Sequence, residues 1–164
     1  MKETIGNLWE YYYKGYPVCI TTNGTVRANG ELVMGAGCAL EAKKIKPNLP
    51  LLLGKYVKEK GNFPYALYFD FLDFLSPGRI IVSFPVKENW YDGYARLELI
   101  EQSANILAEM VKKRKWEMVV IPRPGCGLGK LNWEREVRPL LEKIFLTDKF
   151  CIISKEKNEN IKDF

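Results

Sequence analysis

Twice along this chain an apolar run gives way to a glycine-rich stretch and then to a helix, and this repetition constrains the fold more than any other feature. Met118-Val119-Val120-Ile121 leads into Pro122-Arg123-Pro124-Gly125-Cys126-Gly127-Leu128-Gly129-Lys130-Leu131-Asn132-Trp133, and an amphipathic helix is predicted from about Glu134 to Phe145. About ninety residues earlier, Val18-Cys19-Ile20-Thr21-Thr22 precedes the segment GELVMGAGCALEA at residues 30–42, with a helix expected over Cys38 to Lys44. Units of this kind belong to an α/β sandwich, one sheet with helices on both faces. Ligands of such sheets sit beyond the carboxyl ends of the strands. Two glycine loops on neighbouring strands would grip a diphosphate from both sides. Gly125, Gly127 and Gly129, at every second position, are expected to take positive φ angles and approach a ligand closely. Backbone N–H groups and a helix N-terminus then favour an anion, and phosphate is the expected one. The pattern is neither GxGxxG nor a P-loop, so it leaves the nucleotide class open.

Composition narrows the chemistry. The 164 residues suit one domain with a proper core. The chain has no histidine, which excludes Ser-His-Asp and Cys-His catalysis and argues against zinc. Acid–base or nucleophilic work falls to Lys, Asp, Glu, Tyr, Cys or water. Cys19, Cys38, Cys126 and Cys151 are widely spaced without a CxxC pair, so reduced thiols without a metal or cofactor are expected. The net charge of +5 favours anionic ligands mildly. It does not demand nucleic acid: Lys112-Lys113-Arg114-Lys115 falls where a helix ends and complements its dipole. No apolar run approaches the ~20 residues of a membrane span. The opening MKETIGNLWEYYYKG lacks a signal-peptide core, so a cytoplasmic monomer without a membrane partner is expected.

No internal repeat or low-complexity linker interrupts the pattern. Residues 1–6 predict an edge strand, 8–13 a short helix, and 16–22 a strand. Turn signals at Asn23-Gly24 and Asn29-Gly30 mark a loop to Gly35. A helix over 51–60 is stopped by Gly61-Asn62, and strands are predicted at 65–71 and 79–84 around a Ser76-Pro77-Gly78 turn. Leu97, Ile100, Ala104, Leu107, Ala108 and Val111 recur at helical spacing within Arg96–Arg114. Strands at 117–121 and 150–153 complete the set, and residues 156–164 read as a flexible tail behind a domain of residues 1–155.

Several residues carry two readings. Tyr11, Tyr12 and Tyr13 stack on a base or, more in keeping with a short amphipathic turn, pack on the sheet. Trp90 and Tyr91 cover a ligand or pack the following helix. Trp133 is expected to fix the last helix to the core. Cys126 reads as a small residue under the loop rather than a nucleophile, since no base is in sight. Asp92 either pairs with Lys87 or caps the helix that follows. Lys87 by spacing alone reads as a surface lysine.

Four segments together carry a family resemblance: Gly6-Asn7-Leu8-Trp9-Glu10, Val33-Met34-Gly35-Ala36-Gly37-Cys38-Ala39-Leu40, Phe84-Pro85-Val86-Lys87, and Pro124-Gly125-Cys126-Gly127-Leu128-Gly129-Lys130-Leu131-Asn132-Trp133. In their order the chain resembles a macrodomain, the ADP-ribose-binding fold, over nearly its whole length. Within that family it is similar to the branch of terminal ADP-ribose protein glycohydrolase, yeast-type ADP-ribose-1''-phosphate phosphatase and DNA ADP-ribosyl glycohydrolase antitoxins. The resemblance implies a three-layer α/β/α sandwich with a central mixed sheet, and ADP-ribose or an ADP-ribosylated protein or nucleic acid as partner. Asn7 stands where the family has an Asp that accepts from the adenine amino group, and its side-chain carbonyl can still accept; Leu8 completes that segment. Asn23 matches a distal-ribose residue. Gly35, Ala36, Gly37 and Cys38 would wrap the diphosphate and distal ribose, and Pro124, Gly125, Cys126, Gly127, Leu128 and Gly129 would close the other side. Lys87 matches the catalytic lysine of the hydrolytic members, which attacks C1'' and opens the sugar through a Schiff base. The protein glycohydrolase has an Asp directly after GCGL, where this chain has Gly129. The resemblance therefore implies hydrolysis of an ADP-ribosyl linkage, with ADP-ribose-1''-phosphate phosphatase or a non-catalytic reader as alternatives.

Overall fold

The computed structural model describes residues 1–70 and 78–155. The expected strand end at Phe71, the Ser76-Pro77 part of the turn and the tail from 156 to 164 lie outside the described residues.

The elements alternate as the apolar pattern requires: β1 (Lys2–Ile5), α1 (Leu8–Tyr13), β2 (Val18–Thr22), α2 (Gly37–Ile45), α3 (Leu49–Lys60), β3 (Ala66–Phe69), β4 (Arg79–Pro85), α4 (Leu97–Arg114), β5 (Val119–Pro122), a π turn (Trp133–Val137), α5 (Arg138–Glu142) and β6 (Phe150–Ser154). α3 begins two residues before the expected Leu51, because Pro50 fits the first turn, where its missing N–H has no partner to lose. Its end at Gly61 is as expected, with φ 102.

The predicted helix over 134–145 needs correction. It divides into the π turn and the five-residue α5. Pro139 has no N–H for the carbonyl of Arg135, and its ring crowds that carbonyl. The backbone widens instead, and the N–H of Val137 reaches Asn132 O at 3.2 Å. Asn132 Oδ1 caps the turn by accepting from Arg135 N at 2.8 Å.

The six strands form one mixed sheet in the order β1-β6-β5-β2-β4-β3. All neighbours are parallel except β3 on β4. Two apolar clusters cover its faces. Val18, Ile20, Val120 and Cys151 face one cluster with Tyr12, Ala42, Leu49 and Leu53 from α1, α2 and α3. Cys19, Val119, Ile121 and Ile152 face the other with Ile100, Ala104, Leu107 and Leu141 from α4 and α5. The period-two alternation along each strand thus produces the three-layer sandwich. None of Tyr11, Tyr12 and Tyr13 lines the cleft at the carboxyl ends of the strands: Tyr12 is fully buried, where burial pushes its phenol up to about 12, Tyr11 packs against the same cluster, and Tyr13 is exposed.

The chain leaves β2 towards β4 on one side, then crosses through α4 to β5 on the other. The order therefore reverses between β2 and β5, and beyond their carboxyl ends lies the crevice that such a reversal opens. Both glycine loops start there.

Candidate functional site

A cleft of about 1020 Å³ opens beyond the ends of β2, β4 and β5. Its floor includes Thr21 and Thr22 from β2, Val86 and Lys87 after β4, and Pro122 and Arg123 at the end of β5. The residues from Val33 to Ala39 form one wall, and Gly125 with Gly127 to Lys130 forms the other.

The first wall is held by named contacts. Asn23 donates from Nδ2 to Val33 O at 2.9 Å and accepts from Thr25 N at 2.9 Å, so its amide ties both ends of the loop. Gly54 of α3 lies against the backbone of Gly30, where an added Cβ would stand 1.9 Å from the carbonyl oxygen, so only glycine admits that approach. Cys38 Sγ accepts from Thr21 N at 3.3 Å and fastens the start of α2 to β2. Ala36, at the N-cap of α2, offers no side-chain cap. Among the described residues, the N–H groups of Gly37, Cys38 and Ala39 are therefore without protein partners, and all three residues line the cleft. An uncapped N-terminus of this kind presents donors and a positive dipole end to an anion.

In the second wall the three glycines do three different jobs, which corrects the expectation that all take positive φ. Gly125 alone does, at 75. Gly129 is buried against Gly125 and Ala95, and a Cβ there would lie 2.5 Å from Gly125 O. An Asp at that position would have to push the loop apart. Gly127 has nothing within 4 Å of an added Cβ, and it faces the open cleft. Cys126 Sγ points away, donating to Pro124 O at 3.5 Å, and burial pushes its thiol up to about 12. It is packing, as expected, and neither it nor buried Pro124 lines the cleft.

Lys87 is half-buried at the end of the cleft beyond β4. Its carbonyl accepts from Asn62 Nδ2 at 3.0 Å, and Ser103 Oγ of α4 donates to Pro85 O at 2.8 Å. Among the described residues its ammonium is in no ion pair. Asp92 takes neither expected role. It accepts from Asn89 N at 2.9 Å and closes the 89–92 turn, and α4 starts five residues later at Leu97. Trp90 lines the cleft and is 56% exposed; Tyr91 is more exposed and lies outside the lining.

No protein-family model matches the sequence, and a search of curated proteins finds no match. Solved structures do match. The macrodomain of Mycobacterium tuberculosis DarG is 25% identical, the match covering 95% of this chain and 97% of that one, with a TM-score of 0.76. The fold is that of a macrodomain. The macrodomain of Thermus aquaticus DarG is 23% identical over 94% of this chain and 97% of that one, at TM-score 0.72. Thermosipho africanus DarTG, solved in complex with ADP-ribose, is 22% identical over 95% of this chain but 42% of that one, at TM-score 0.74. The chain thus spans less than half the length of that protein.

The cleft is also lined by residues to which sequence reading assigns no site role: Arg123 and Lys130 within the second glycine segment, Glu41 just past the glycines of the first, and Arg27 and Lys155 outside both. Glu41 and Lys155 had no signal in the sequence, since one is a polar residue on an amphipathic helix and the other follows a strand. Asn7 and Leu8, by contrast, do not line the cleft. Asn7 Oδ1 accepts from Trp9 N at 2.9 Å as the N-cap of α1, and Leu8 is buried. Asn7→Ala is therefore expected to lower the unfolding free energy by about 1 kcal/mol, read by urea denaturation, with Asn7→Asp restoring it. An unchanged midpoint in the alanine variant would remove the capping role.

Proposed function

We propose that this macrodomain binds ADP-ribose in the cleft and hydrolyses an ADP-ribosyl linkage at C1'' of the distal ribose, with Lys87 as the nucleophile. The observation that carries this reading is the pairing of the uncapped α2 N-terminus with the Gly125–Gly129 loop across one cleft that ends at a lysine. The diphosphate would lie between the two loops, within reach of the N–H groups at Gly37 and Cys38. Asn23, Gly35 and Ala36 would meet the distal ribose. The ADP-ribose in the Thermosipho africanus DarTG structure supports the choice of ligand.

The chemistry follows from the residues present. The neutral amine of Lys87 attacks C1'', the bond to the leaving group breaks with its electron pair, and the cationic nitrogen gives up a proton that reaches the leaving group through water. The lone pair on the lysine nitrogen then forms C=N while the ring oxygen leaves C1'' and is protonated. Water adds to the imine, releases the lysine and leaves ADP-ribose as an aldehyde, which recloses. Histidine is absent, so no imidazole competes for the role. Cys126, the thiol of the second loop, lies outside the cleft lining and burial raises its pKa to about 12.

ADP-ribose is expected to bind at least about tenfold more tightly than AMP in calorimetry, because charged hydrogen bonds to the second phosphate add to those of the first. Equal affinities would sink the cleft assignment. Incubation with ADP-ribosylated protein, ADP-ribosylated nucleic acid and ADP-ribose-1''-phosphate then tests the reaction. Release of ADP-ribose from either of the first two is the expected result. Release of phosphate from the third alone would make the protein a phosphatase, and no turnover of any would make it a reader.

A further inference from the structure

We infer that Glu41 reads the exocyclic amino group of the adenine, and so sets the base specificity of the cleft. The inference rests on the proposed ligand and on the direction in which it lies. Lys87 stands beyond β4 and Arg123 beyond β5, with β2 between them. Two strand spacings separate these ends by about 10 Å. A distal ribose at Lys87 therefore sends the nucleoside half past β5 towards β6, where Glu41 and Lys155 line the cleft.

At that end the chemistry suits an amino-purine. Glu41 Oε2 accepts from the indole Nε1 of Trp9 at 2.6 Å, which orients the carboxylate from behind. Among the described residues Oε1 is in an ion pair only with Lys155, at 4.0 Å, and that lysine is 71% exposed, so the pair is weak. A carboxylate has about four lone-pair sites, and most of those on Glu41 are open to a donor. The other carboxylate lining the cleft, Asp92, is at the Lys87 end and already closes a turn. The guanidinium of Arg123 lies over the buried ring of Trp133 at 5.1 Å, and a base resting on its other face would continue that stack. Adenine carries a donor, its 6-amino group, where Glu41, the only carboxylate lining this end among the described residues, can accept. Asn7, which the family pattern puts in this role, has its carbonyl committed to the cap of α1.

The test compares ADP-ribose with its analogue lacking the 6-amino group, by calorimetry, on the wild-type protein, Glu41→Leu and Asn7→Ala. The wild type is expected to prefer ADP-ribose by about tenfold, the scale of one hydrogen bond to a charged acceptor. Glu41→Leu should bring that ratio to about one while leaving affinity for the analogue unchanged, which also shows that the variant is folded. Asn7→Ala should keep the wild-type ratio. If the wild type binds both ligands equally well, or if Glu41→Leu retains the preference, Glu41 does not read the base although the cleft still binds ADP-ribose. If the wild type binds neither ligand, the proposed function itself fails and the inference falls with it.

Discussion

Replacing Lys87 by alanine is expected to lower hydrolysis of the ADP-ribosyl linkage by about 10³-fold or more while ADP-ribose affinity stays within about threefold of wild type. In the proposed mechanism the lysine side chain acts at C1'', whereas binding would come mainly from backbone donors of the two loops, and those are held by other residues. Asn62 and Ser103 fix the backbone around Lys87 through carbonyl contacts that do not involve its side chain. The alanine variant therefore keeps the loop in place. Borohydride added during turnover should trap the imine as a stable adduct on Lys87, found by mass spectrometry of the peptide. Chemistry at phosphorus would give no adduct, and a reader would give neither adduct nor product. Full glycohydrolase activity in Lys87→Ala would defeat the mechanism and move attention to a water activated by the substrate diphosphate.

The second large effect is expected at Gly127. A Cβ there meets nothing within 4 Å, and its φ is not left-handed, so Gly127→Glu should fold and melt like wild type. The new carboxylate would enter the cleft beside the diphosphate. A like charge about 4 Å away at an effective dielectric near 20 opposes binding by about 4 kcal/mol. ADP-ribose affinity should fall by at least about a hundredfold, with Gly127→Ala close to wild type as the control. Gly37 is a poorer choice for this experiment: its φ of 58 strains any side chain, and lost binding would be confounded with a distorted loop. A well-folded Gly127→Glu protein that still binds ADP-ribose tightly would show that the anion lies elsewhere.

The sheet and most of its helices were legible because burial imposes a period on the residues. Strands β2, β4 and β5 read as largely apolar runs rather than alternating ones, since both their faces are covered. α4 shows its stripe because one face only is buried. The last helix misled because one proline changed its geometry without disturbing its apolar pattern. The two glycine loops were visible as composition, and their meeting across one cleft followed from the order of the strands. The jobs of the individual glycines did not, since neighbours from α4 and its approach decide them: Ala95 crowds Gly129 and nothing crowds Gly127.

By itself the sequence determined the layers, the loops and the shortage of catalytic groups, because all three follow from residue type and spacing. Tertiary structure alone decided which polar side chains face the cleft. Sequence reading assigns Asn7 a site role, yet it closes a helix end; it assigns Glu41 none, yet that residue lines the cleft, its carboxylate accepting from Trp9. A side chain's partner depends on what packing brings within about 3 Å of it, and segments distant in sequence supply those neighbours.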